Sequence, residues 1–133
     1  MNCEGAVTVL FDTDVLIWLE RGNVKAAKLI NTSEQRYMSV LTRMEWIQGA
    51  ANKTHIARIE SFISDYNFVV LPLTNDIGHR ALVYIEEYAL ANGLRANDAI
   101  IAATAVENNL LLSSSNIKHY KPIKDLKFQP LPI

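Results

Sequence analysis

Asp12, Glu45, Asp98 and Asn116 are the side chains whose types and settings point to chemistry. Three carboxylates and an amide, with no histidine or cysteine among them, form an all-oxygen donor set. Such a set suits hard cations, Mg²⁺ or Mn²⁺, rather than zinc. Clustered carboxylates repel one another and raise each other's pKa until a cation neutralises them. An ion held mainly by carboxylates keeps positions open for water and phosphate oxygens. It lowers the pKa of its water and offsets charge growing on phosphorus. Phosphodiester hydrolysis is therefore the natural chemistry if the four residues meet.

Each of the four also has a plain structural role open to it. Asp12 or Asp14 can cap a helix. Thr42-Arg43-Met44-Glu45 fits a capping box, with Glu45 reaching back to the amide of Thr42. Asp98 suits a helix N-cap or first turn, and Asn116 suits a tight turn. Other chemistries find less support. His55, His79 and His119 are widely separated and read as surface or packing residues. The five glycines form no phosphate-cradling loop. Ser113-Ser114-Ser115 lacks a nucleophile-elbow pattern.

The positioning elements alternate. Strands are expected over 6–11, 37–41, 68–71 and 110–112, with at most an edge strand over 128–131, where Pro130 interrupts it. Helices are expected over 15–19, stopping near Gly22, and over 24–30 and 43–52. A further helix, capped by Thr54, runs through Tyr66. A long one, capped by Thr74 or Asn75, ends at Asn92-Gly93. Asn97 or Asp98 opens the next, 99–108, which is apolar nearly all round and so is expected to be buried. Residues 113–116 read as a polar turn. This pattern predicts an α/β fold with a mostly parallel central sheet of four or five strands and helices on both faces. In such sheets ligands bind beyond the carboxyl ends of the strands, where these four residues could converge.

The chain has 133 residues, half of them apolar and a fifth charged. That is the size and make-up of one domain, here 1–133, and excludes disorder. No apolar run is long enough for a membrane span. The first residues carry no positive charge, which argues against a signal peptide, and Cys3 is the only cysteine. A cytoplasmic protein with no membrane association is expected. A formal net charge of −1 argues against broad coating of nucleic acid. Lys118, Lys121, Lys124 and Lys127, opposed only by Asp125, read first as a solvated face. Residues 15–19 (Val-Leu-Ile-Trp-Leu) are either wholly buried or present Trp18 or a neighbour to a second subunit or partner peptide.

Taken together, these stretches resemble a PIN domain, and more narrowly a VapC-type toxin of bacterial or archaeal toxin–antitoxin pairs. The resemblance runs along nearly the whole chain. It is carried by Val9 to Asp14 around the first acid, by Glu45, by Gly93 to Ala105 around Asp98, and by Leu111 to Tyr120 around Asn116. It implies a Mg²⁺- or Mn²⁺-dependent endoribonuclease acting on tRNA, rRNA or mRNA. Asp12 and Asp98 would be the principal metal ligands, Glu45 the third acid, and Asn116 the fourth member of the site. Thr13, Arg95 and Lys118 would contact substrate, and Asp14 would be secondary. The implied reaction is in-line attack of activated water, leaving a 5′-phosphate and a 3′-hydroxyl. The implied partners are a second copy in a homodimer and a cognate antitoxin whose C-terminal segment covers the site. Two other readings remain: an RNA-processing nuclease without a toxin role, and a non-catalytic PIN-like binding module.

Overall fold

The computed structural model describes residues 8–131. Elements follow in the order β1 (Thr8–Phe11), α1 (Thr13–Glu20), α2 (Val24–Thr32), β2 (Gln35–Ser39), α3 (Val40–Gln48), α4 (Lys53–Asp65) and β3 (Val69–Leu71). Then come α5 (Asn75–Asn92), α6 (Ala96–Glu107), β4 (Leu111–Ser114), α7 (Ile117–Tyr120) and β5 (Phe128–Pro130). The five strands form one sheet in the order β3-β2-β1-β4-β5. Every neighbouring pair is parallel, which agrees with the expected mostly parallel α/β sheet of four or five strands.

Side-chain alternation along the central strand divides the core in two. Val9 and Phe11 pack with Val15, Leu16, Ile30, Trp46 and Ile59, from α1 to α4. Leu10, between them, packs on the other face with Ile77, Tyr84, Ile101 and Tyr120, from α5 to α7. A strand buried on both faces must be apolar throughout, as Val9-Leu10-Phe11 is. Helix α6 is buried along most of its length, including Ala99, Ile101, Ala102, Ala103 and Ala105. Its small alanines suit its close packing beside α5.

Several boundaries differ from the sequence expectation, each for a local reason. Residues 6 and 7 of the first expected strand, like Cys3, lie outside the described residues. Val40 and Leu41 open α3 rather than extend β2, because Ser39 Oγ accepts the Leu41 N–H at 3.1 Å and caps the helix. That helix stops at Gly49, short of residue 52. Asn52, not Thr54, caps α4 by accepting the His55 N–H at 2.8 Å. Ser113 and Ser114, expected in a turn, belong to β4 and are fully buried. There they pair in register with Gln129 and Pro130. The capping of α5 by Thr74 and its ending at a left-handed Gly93 (φ 72°) agree with expectation. Strand β5 is indeed an edge strand.

Candidate active site

The chain builds β1, β2 and β3 outward on one side of the sheet, then crosses to place β4 and β5 on the other. Strands β1 and β4 therefore flank the point where the strand order reverses, and a crevice opens beyond their carboxyl ends. A cleft of about 350 Å³ lies there, lined by Asp12, Asp14, Glu45, Asp98, Asn116 and His119, among others. Thr13, Arg95 and Asn97 also border it. The four candidate residues of the sequence thus meet in one place. Lys118 does not line the cleft and is exposed on α7.

Asp12 directly follows β1 and is 7 % exposed. One carboxylate oxygen accepts the Thr13 N–H at 2.8 Å. The other accepts the Ser114 hydroxyl at 2.8 Å and the Tyr120 phenol at 3.1 Å. Asp12 is thus the N-cap of α1 and a member of the cleft together. Burial, reinforced by the neighbouring charge of Asp14, pushes its carboxyl up to about 7. Asp14, on the first turn of α1, is tied to the β4–α7 turn through the backbone N–H of Ser115 at 3.0 Å and the Ser115 hydroxyl.

Glu45 makes no capping box. Its helix begins at Val40, two residues ahead of Thr42, so the carboxylate is free to reach across the cleft. There it accepts the Thr13 hydroxyl at 2.7 Å and the Asn97 amide at 2.8 Å. Glu45 thereby links α1, α3 and α6. Asp98 lies in the first turn of α6, one of its two expected settings, and is not the N-cap. Arg95 is the N-cap, and Asp98 reaches back to the Arg95 N–H at 3.4 Å.

Two participants are not evident from sequence. His119, which reads there as a surface or packing residue, places Nδ1 3.0 Å from Asp98 Oδ2 and 3.0 Å from Asn116 Nδ2. One ring nitrogen serves one of these at a time, donating to the aspartate when protonated and accepting from the amide when not. Tyr120 is fully buried, and its phenol lies 3.1 Å from Asp12 Oδ2 and 3.3 Å from Asp98 Oδ1. Two acids far apart in the sequence thus face one hydroxyl. The carboxylates nearby push the phenol further above its usual range, adding to the larger effect of burial. The spacing Asn116-x-x-His119-Tyr120 is the available signal, because one helical turn carries residue 119 back beneath residue 116.

The donor set fits a hard divalent cation. Among the described residues no three acidic, histidine or cysteine side chains close into a ligand cage. Magnesium does not need one: it is usually held by one or two carboxylates, with waters and substrate phosphates completing its shell. A buried carboxylate raised by burial and a neighbouring anion is also a group that a cation would relieve.

Fold and cleft together define an α/β protein with an oxygen-donor acidic site at the switch point of a parallel sheet. The PIN domain family signature spans residues 9–122, and the chain belongs to that family. It is 29 % identical over 123 residues to Ribonuclease VapC19 of Mycobacterium tuberculosis, covering 89 % of this chain and 96 % of that protein. It is 30 % identical to a chain of a toxin–antitoxin complex from Klebsiella pneumoniae, with a TM-score of 0.77, covering 90 % and 95 % of the two chains. A chain of VapBC2 from Rickettsia felis, bound to a DNA fragment from its promoter, matches with a TM-score of 0.76. It is 16 % identical and covers 92 % of this chain and 98 % of that one, a likeness of fold.

Proposed function

We propose that this chain is a divalent-cation-dependent endoribonuclease and the toxin of a toxin–antitoxin pair, acting as one PIN-like unit over 1–133. The observation that carries the reading is the convergence of Asp12, Glu45, Asp98 and Asn116 on one cleft. The ribonuclease and toxin–antitoxin relatives support it. Asp12 and Asp98 would hold Mg²⁺ or Mn²⁺, with Glu45 as the third acid. The ion would supply Lewis acidity and an acidified water.

The remaining work falls to side chains. Tyr120 and Ser114 hold Asp12 in place, while His119 and the Arg95 amide hold Asp98. Thr13 and Asn97 aim Glu45 across the cleft, where it can orient an attacking water. Arg95, at the cleft margin, would meet a substrate phosphate, and Lys118 would offer charge outside it. Asn116 contributes a dipole without charge, which favours fewer bound ions over two tightly held ones. The proposed setting is cytoplasmic, as a homodimer restrained by an antitoxin. No helix among the described residues is long and apolar enough to cross a membrane.

The test is incubation of partner-free protein with tRNA and ribosomal RNA in Mg²⁺, Mn²⁺ or EDTA. Discrete fragments bearing 5′-phosphates, absent in EDTA and with Asp12→Ala, are expected. Fragments that persist in EDTA would contradict the assignment.

A further inference from the structure

A polyanion that enters this site meets four carboxylates, those of Asp12, Asp14, Glu45 and Asp98. The whole chain, at −1, supplies no bulk attraction to offset them. Binding must therefore draw on cations fixed beside the cleft. A second cleft of about 360 Å³ adjoins the first, sharing Ile17 and Glu45 as a common wall. It lies among α1, α3 and α4, and Arg21, His55 and Arg58 line it.

The second cleft is built around Glu20, whose side chain is 16 % exposed. Its carboxylate accepts the Trp46 indole N–H at 3.0 Å and lies 2.6 Å from His55 Nε2. His55 Nδ1 accepts the backbone N–H of Ala51 at 3.0 Å, so the ring's proton sits on Nε2 and faces Glu20. With both ring nitrogens engaged, His55 is a clasp between α1 and α4 rather than a phosphate ligand. The two arginines differ from it. Arg58 is 62 % exposed and reaches Glu20 only at 3.7 Å. Arg21 lies over the Trp18 ring at 5.6 Å and has no carboxylate partner among the described residues.

A larger cleft of about 650 Å³, along α5, offers a contrast. Its Arg80 is already neutralised by Glu107 at 2.5 Å and Asp125 at 2.8 Å, and Asp76 and Glu87 add further negative charge.

We propose that the α1–α3–α4 cleft is an RNA subsite, in which Arg21 and Arg58 bind backbone phosphates of the strand on one side of the scissile bond. Arg95, at the margin of the acidic cleft, is placed to meet the reacting region itself. The inference rests on the ribonuclease reading above and extends it. Single-stranded RNA suits two adjoining open clefts better than a rigid duplex, whose bases are already stacked and paired.

The test measures binding of a fluorescein-labelled single-stranded RNA by anisotropy, in EDTA, across a series of salt concentrations. Wild type is compared with the Arg21→Ala/Arg58→Ala double variant and with Lys124→Ala, which removes a cation from the α5 cleft. The double variant is expected to bind roughly tenfold or more weakly at low salt. The slope of log Kd against log salt is expected to fall by about 1.4, near 0.7 for each lost phosphate contact. Lys124→Ala is expected to keep both values, and circular dichroism to confirm that the double variant is folded. Equal affinity and slope for the double variant and wild type, while wild type cleaves RNA, would overturn the subsite alone. Wild type that neither binds nor cleaves RNA would overturn the ribonuclease reading on which the subsite rests.

Discussion

Asp12 carries the largest electrostatic tension in the cleft, and its titration gives a measurable consequence. Its carboxyl rises from 3.8 to about 7 because burial, and then Asp14, disfavour the charged form. An acid whose folded pKa is raised stabilises the fold fully while protonated in both states. That contribution is lost as pH climbs through the folded value. In EDTA, therefore, the stability advantage of Asp12→Asn over wild type should grow from about pH 4 to about pH 7 and then level off. The change is on the order of a few kcal/mol for a shift of this size. Unfolding midpoints across that range would check it, and a flat difference would contradict it. Tyr120→Phe should cost about 1–2 kcal/mol by removing a hydroxyl shared by two buried or half-buried acids. Its ring packing against Phe128 survives, so chemical denaturation should stay cooperative.

Among the elements, two glycines predict opposite signs. Gly93 closes α5 at φ 72° and sets the chain's course into α6, which presents Asp98. A Cβ there would meet only His119 Nε2 at 3.8 Å, so the cost of Gly93→Ala is conformational, about 1–2 kcal/mol. Gly78 lies inside α5, where an added methyl group would meet nothing within 4 Å, so Gly78→Ala should stabilise by roughly 0.5–1 kcal/mol. Thermal melts of the two variants, moving in opposite directions from wild type, would check both. The elements themselves are largely legible in sequence, because strand runs and helix caps are local. Misplaced ends come where local signals compete. Ser39 overrides a β-branched neighbour and turns Val40 into helix. Ser113 and Ser114 look like a turn until the sheet buries them.

For the whole molecule, the site is legible as a set of acids and a rim on which they could meet. What cannot be read is the second layer that holds them. The bonds of His119 and Tyr120 to Asp98, and of Asn97 to Glu45, span distant segments and leave no periodic trace. The apolar run of residues 15–19 resolves into two parts. Val15, Leu16 and Leu19 are buried, whereas Ile17 and Trp18 are half-buried, with Ile17 on the wall between the two clefts. The homodimer proposed for the chain predicts a sedimentation mass of twice 14.9 kDa, and a mass of one chain would contradict it.

The central claim is that Asp12, Glu45, Asp98 and Asn116, which meet in one cleft, form a catalytic centre rather than a set of structural side chains. Asp98→Asn separates the two roles, because it keeps the shape and hydrogen-bonding reach of a first-turn residue while removing the charge. Cleavage of RNA in Mg²⁺ and the unfolding midpoint should be measured on one preparation. A catalytic Asp98 predicts loss of cleavage by at least about a hundredfold, on the scale of removing one electrostatic contributor to a transition state, with a nearly unchanged midpoint. Full cleavage by the variant, or its unfolding, would show Asp98 to be structural and contradict the claim.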